Sequence, residues 1–261
     1  MAFTVHAVMP GVWHIVDCMG VCMTLLEGEN AAMLVDTGYG IEDVADFMRH
    51  MTDLPLTVFL THNHHDHAMG ARCFPETYML EADMADWCMF TNDEMRRRVL
   101  TQAIGKNLPV DEKTFLAGEI PLPKVMKPGV IDLGGLTAEI IEAPGHTPGS
   151  AVVYVPERKL LLSGDDWNPC TWLFFPQALG LREYRSNMRG IQQLPFEKVL
   201  CPHREALYDR WMFDDFFNAL TDGNLRAAEP VNIAPYEQID TCQATLPHDQ
   251  VFVFDWAKSG L

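Results

Sequence analysis

Apolar and polar positions alternate in short runs through the first third of the chain. FTVHAV (3–8), VWHIVD (12–17), CMTLLE (22–27) and AAMLVDT (31–37) are apolar and β-branched stretches of six or seven residues, separated by MPG, CMG and GEN. Runs of that length, punctuated by glycine, proline or asparagine, predict strands joined by turns. The period then changes. In IEDVADFMRHM (41–51), Ile41, Val44, Phe47, Met48 and Met51 share one stripe, which predicts an amphipathic helix. LTVFLTH (56–62) predicts another strand, YMLEA (78–82) follows, and helical text continues to about residue 104.

Residues 105–127, GKNLPVDEKTFLAGEIPLPKVMK, carry prolines and no clear period, and form a candidate lid or insertion loop. A second series of strands begins after it: GVIDLG, LTAEIIEA, AVVYVPE and KLLLSGDD. Helical text at 181–193, a short strand KVLCP, a helix across 205–221 and a strand candidate QVFVFDW complete the chain. Strands followed by a helix, stated twice, predict an α/β (α+β) chain built as an αββα sandwich, two mixed β-sheets flanked by helices. We read 1–261 as a single domain with a C-terminal extension at 225–261.

Composition narrows the class. A length of 261 residues with 48% apolar content suits a globular protein with a large core. A formal charge of −17 argues against a nucleic-acid partner, because phosphate backbones are bound by Lys and Arg. The one basic run, MRRRV at 95–99, reads as the polar face of a helix. No basic segment leads into an apolar one at the N-terminus, and no apolar run is long enough to span a bilayer. The seven cysteines form no CxxC pair and read as reduced thiols. These features lead us to expect a soluble, cytoplasmic protein with no membrane partner.

The chemistry is concentrated in LTHNHHDHAMG (60–70), where His62, His64, His65, Asp66 and His67 occupy one short loop after an apolar strand. A solvated polar loop is the plain reading; a metal site is the other, because imidazole and carboxylate suit zinc, or iron and manganese with more oxygen donors. Three later segments favour the metal. His146 in EAPGHTPGS, Asp165 in LLLSGDD and His203 in KVLCPHRE each follow a hydrophobic strand, the usual position of sites in α/β folds. Asp166 competes with Asp165 and is read as a supporting group or helix cap.

With these residues in order, the chain resembles the metallo-β-lactamase superfamily of metal-dependent hydrolases. The resemblance rests on HxHxDH at 62–67, PGHTPGS, SGD, CPH and VDTG at 35–38, and spans residues 35 to 203. It implies that His62, His64 and His146 hold one divalent metal ion, zinc before manganese or iron. Asp66, His67 and His203 would hold a second, and Asp165 would bridge them. His65 is no ligand in this reading. PHR around His203 departs from the Gly-His-Gly text common in the family. Asp36 is expected to orient a ligand histidine, with a plain turn in DTGYG as the alternative.

Two metals can share a water, make it hydroxide near neutral pH and polarise a substrate oxygen, so no serine or cysteine nucleophile is required. No GxSxG elbow is present. The expected activity is hydrolysis by metal-bound hydroxide of an ester, thioester or lactone in a small, partly apolar molecule, with Asp66 assisting proton transfer. Aspartate at 165, where one group of zinc β-lactamases carries cysteine, disfavours β-lactam substrates. His64 disfavours a flavodiiron role, the acidic charge disfavours RNA processing, and the full ligand set disfavours a mono-iron dioxygenase. The alternatives are a phosphodiesterase of the same fold and a non-hydrolytic iron-binding redox or sensing module. Trp167, Trp172, Phe174 and Phe175, close after Asp165, are either a substrate pocket or ordinary core or a homodimer contact.

Overall fold

A computed structural model describes residues 3–261 of the chain. The first sheet has seven strands in chain order: β1 (Thr4–Met9), β2 (Val12–Val16), β3 (Cys22–Glu27), β4 (Ala32–Val35), β5 (Leu56–Phe59), β6 (Tyr78–Met79) and β7 (Lys124–Val125). Its first four strands pair antiparallel and the remaining pairs are parallel. The second sheet takes β8 (Gly129–Asp132), β9 (Thr137–Glu142), β10 (Ala151–Val155) and β11 (Leu160–Leu162), with β12 (Cys170–Leu173) leaving it and β13 (Lys198–Leu200) and β14 (Tyr208–Asp209) returning. Its order is β14-β13-β11-β10-β9-β8, mixed in direction.

The two sheets face each other. Met33, Val35 and Phe59 of the first pack on Ile140, Val153, Val155 and Leu162 of the second. On the far side of the first sheet, Ile15, Leu25 and Leu34 bury helix α1 (Val44–Met51) through Val44 and Met48. On the far side of the second, Val152, Tyr154 and Leu161 meet two helices of the C-terminal half. That is why AVVYV is apolar without a break: alternate residues serve two different buried faces.

The remaining helices are α2 (His65–Ala68), α3 (Trp87–Thr91), α4 (Asp93–Gly105), α5 (Glu112–Phe115), α6 (Leu181–Ile191), α7 (Arg210–Ala219) and α8 (Asp222–Arg226). The single helical tract read up to residue 104 is split at Asn92, whose side chain caps α4 by accepting from Met95 N at 2.9 Å. The helix expected over 205–221 begins only at Arg210, because Tyr208 and Asp209 pair as β14 with β13.

The C-terminal stretch gives a third sheet that the sequence reading anticipated only through QVFVFDW. β15 (Glu229–Pro230), β16 (Thr241–Leu246) and β17 (Gln250–Asp255) join β12 in the order β12-β17-β16-β15. Phe252 and Phe254 of this sheet pack with Tyr184 and Met188 of α6 and with Phe213 and Phe216 of α7. Among the described residues no helix is long and apolar enough to cross a membrane.

Residues 105–127 are tied down rather than loose. Phe115 is wholly buried, and Lys124–Val125 closes the first sheet as β7. The anchor is Arg96, which the reading of MRRRV as a solvated face did not anticipate. It is buried to 2% exposure, with its guanidinium donating to the carbonyls of Phe115 (2.6 Å), Gly118 (2.7 Å) and Ala117 (3.2 Å). Arg96→Met leaves three carbonyls without that donor and should cost about 3 kcal/mol in urea unfolding. Arg97→Met on the exposed side of the same helix should change stability by less than about 0.5 kcal/mol.

Candidate metal centre

Strand ends on one edge of the sandwich deliver every candidate ligand. β5 runs into His62 and His64, and the single turn α2 presents Asp66 and His67. The loop between β9 and β10 carries His146, the turn after β11 carries Asp165, and the segment after β13 carries His203. Gly164, at φ +51°, supplies the left-handed step that turns the chain sharply before Asp165.

The ligand atoms fall into two groups. In the first, atoms of His62, His64, His146 and Asp165 lie within 4.8 Å of one another; in the second, those of Asp66, His67 and His203 do. Asp165 touches both, with its Oδ2 3.4 Å from His146 Nε2, 3.5 Å from His67 Nε2 and 3.1 Å from His203 Nε2. Asp66 stands 3.6 Å from His67 Nε2 and 3.7 Å from His203 Nε2. His65, next to these, lies outside both groups and stacks edge-on against Tyr39.

Hydrogen bonds behind the rings fix which nitrogen faces inward. Thr61 Oγ donates to Asp36, so it accepts from His62 Nδ1 at 3.0 Å and leaves His62 Nε2 pointing at the cluster. His67 Nδ1 donates to Asp36 at 3.1 Å, and His146 Nδ1 donates to the Trp172 carbonyl at 2.7 Å. His64 is reversed: its Nδ1 lies 2.8 Å from His146 Nε2, and its Nε2 lies beside the Gln177 carboxamide. The amide nitrogen is the atom that faces His64 and the buried Gln177 Oε1 has no partner, so turning the carboxamide over brings Oε1 to accept the proton a ligating His64 carries on Nε2.

A cation fits this donor set. His62 Nε2 and His67 Nε2 are buried and have no hydrogen-bond partner, though both are aimed at the cluster, and such atoms are costly unless something binds them. Burial pushes His62 and His64 well below the ordinary imidazole range, and neighbouring rings add to it; burial also lowers His146. All three are thereby kept in the neutral form that ligates. Burial also opposes charge on His67 and His203, but Asp165 and Asp66 outweigh it and raise both. Burial pushes Asp66 up, yet His67, His65 and His203 outweigh it and bring it down to about 2. Protons on His67 and His203 would have to leave before either ring could ligate.

Asp36, at φ +64°, therefore holds His67 directly and His62 through Thr61. Asp166 accepts from His146 N at 3.0 Å, a supporting position beside Asp165. Sequence reasoning missed Thr61, Gln177 and above all Asp83. Asp83 is buried between two ligand loops, accepting from Asn63 N at 3.1 Å, Thr147 Oγ at 2.8 Å and Gly149 N at 2.6 Å. A Cβ on Gly149 would come 2.6 Å from Asp83 N, so the approach requires glycine. Burial pushes the Asp83 carboxyl up and these donors pull it back, leaving it at about 6. No local motif marks Asp83, since its partners are 20 to 66 residues away.

The cluster opens into a cavity of about 990 Å³. Of the four aromatic residues expected there, Trp172 and Phe175 line the wall. Trp167 and Phe174 do not: both are wholly buried, Trp167 donating to Gln250 Oε1 at 3.2 Å and Phe174 lying under Phe175. Pleating of β12 explains part of the division. Cys170 and Trp172 face the cavity, while Thr171 and Leu173 turn into the protein.

Comparison with known proteins agrees with this geometry. The family described as the metallo-beta-lactamase superfamily matches residues 16–203. The chain is 26% identical over 200 residues to acyl-coenzyme A thioesterase MBLAC2 of Gallus gallus, covering 69% of this chain and 70% of that protein. A metallo-beta-lactamase from Pontibacter korlensis superposes with a TM-score of 0.60 at 17% identity, covering 84% of this chain and 99% of the other. The protein TTHA1623, solved in a di-iron-bound form, superposes at 0.52 with 20% identity, covering 74% and 92%.

Two supporting carboxylates should be separable by measurement. Asp36→Ala should weaken metal binding about 10- to 100-fold in chelator competition. Asp36→Asn should retain more affinity, because asparagine tolerates the left-handed backbone there. Asp83→Ala leaves two buried amides and a hydroxyl without their acceptor, and should cost about 2–3 kcal/mol in urea unfolding of the metal-free protein.

Proposed function

The chain belongs to the metallo-beta-lactamase superfamily, and we propose that it is a hydrolase loading two divalent ions, zinc foremost. Its substrate would be a small, partly apolar molecule containing an ester, thioester or lactone bond. The observation that carries this reading is the pair of donor groups sharing Asp165 at the floor of a large, part-aromatic cavity. The relative that is an acyl-coenzyme A thioesterase supports an acyl substrate. Zinc is preferred because imidazole nitrogen dominates the donor set; the di-iron-bound TTHA1623 makes iron the competing metal.

His62, His64, His146 and Asp165 would hold one ion, and Asp66, His67 and His203, with Asp165 shared, the other. Two ions so placed supply an activated water and an electrophile for the acyl oxygen. The chain's own residues do the rest. Asp36, Thr61, Gln177 and the Trp172 carbonyl keep the ligand rings in one tautomer and orientation. Phe90, Trp172, Phe175 and Tyr236 receive the apolar part of the substrate and exclude water from it. Asp66 has its carboxylate partly open to the cavity, which places it to relay a proton toward the leaving group. We place the activity in a reducing compartment such as the cytoplasm, since all seven cysteines are free thiols.

The test is elemental analysis of the purified protein with a panel of ester, thioester, lactone and phosphodiester substrates. About two zinc ions per chain are expected, with cleavage of an acyl substrate lost at least about a hundredfold in His64→Ala. Preferred phosphodiester cleavage would replace the acyl reading. Iron with visible absorbance and no hydrolysis of any panel member would overturn the hydrolase in favour of a redox or sensing module.

A further inference from the structure

Away from the candidate metal ligands, the cavity wall inverts the sign of the molecule's charge. The chain carries 36 acidic and 19 basic residues other than histidine, yet Arg97, Arg98 and Arg204 all line this cavity. Apart from the ligand carboxylates Asp66 and Asp165, the only acidic residue on that wall among the described residues is Glu94. The arginines come from two separate elements. Glu94, Arg97, Arg98, Thr101 and Gln102 form the polar cavity-facing stripe of α4, and Arg204 directly follows the ligand His203.

None of the three is committed to a tight ion pair. Among the described residues Arg97 has no carboxylate partner, and Arg98 reaches Glu94 only at 3.9 Å, with both side chains more than half exposed. Arg204 donates to the His203 carbonyl at 2.8 Å and to no carboxylate. Arg96, by contrast, is buried and spends its terminal nitrogens on carbonyls inside the fold. Planar guanidinium groups left free beside an apolar cavity suit phosphate oxygens, which they bind through paired N–H donors. In a protein of net charge −17 such a ligand is repelled at long range, so its recognition must be local.

We propose that Arg97, Arg98 and Arg204 form an anion clamp that holds the phosphate groups of the substrate's carrier, while its acyl part lies against Phe90, Trp172, Phe175 and Tyr236. The substrate class is then an acyl thioester on a phosphate-bearing carrier of the coenzyme A kind. This inference rests on the hydrolase reading for the acyl half, and on the arginines alone for the carrier half.

The experiment uses full-length, metal-loaded protein and two probes, coenzyme A and pantetheine, which shares the thiol arm and lacks phosphate. Calorimetry should give tighter binding of coenzyme A than of pantetheine by about tenfold or more, with the difference shrinking at high salt. The triple variant Arg97→Gln/Arg98→Gln/Arg204→Gln should bring the two affinities within about threefold, and the corresponding lysine triple variant should restore part of the gap. The kcat/KM ratio for the same acyl group on the two carriers should fall in parallel. Equal binding of both probes by the unmodified protein, or a preference that survives in the glutamine variant, overturns the clamp. Arginine-dependent coenzyme A binding without hydrolysis of either thioester keeps the clamp and overturns the hydrolase reading instead. Circular dichroism on each variant separates loss of binding from loss of fold.

Discussion

Seven candidate ligand side chains are gathered at one sheet edge, although ring lone pairs and carboxylate charges repel when they converge in a buried space. The rest of the site follows from that constraint. A ring held only by its own rotamer would turn its nitrogen toward water or a better partner. The inward-facing nitrogens of His62, His67 and His146 are therefore matched by an outward hydrogen bond on the opposite side of the ring, to Thr61, Asp36 and the Trp172 carbonyl, and His64 has the Gln177 amide beside it.

The outer bonds also join parts of the chain that lie far apart in sequence. Asp36 follows β4 and serves two rings following β5, which is possible because those strands are parallel neighbours and end together. Asp83 joins the first histidine loop to the loop bearing His146, and so couples the first sheet to the second across the top of the sandwich. The same hydrogen bonds thus order the candidate ligands and tie the two sheets together.

The tripeptide Arg96, Arg97, Arg98 shows how three identical side chains receive different work from their place on a helix. With successive residues about 100° apart on a helix, Arg96 turns into the protein, and its neighbours reach the cavity. Composition could count these charges but could not tell which of them faces a site. The same holds for the aromatic run after Asp165, where two rings line the wall and two fill the core.

The sequence by itself determined the two-sheet sandwich and the ligand candidates, because strand periodicity and the placement of His and Asp after apolar runs are local properties of the chain. Strand boundaries in the first half, the helix at 41–51 and the HxHxDH loop were all legible for that reason. The division of the candidate ligands into two groups around Asp165 was implied by the family resemblance, while the tertiary structure alone decided which nitrogen of each ring faces inward and that Asp83, Thr61 and Gln177 support them. It also decided that the last 37 residues build a third sheet with β12, and that residues 105–127 are pinned by Arg96. Each of these depends on contacts between residues tens of positions apart, and a single sequence carries no periodic or spacing signal for such contacts.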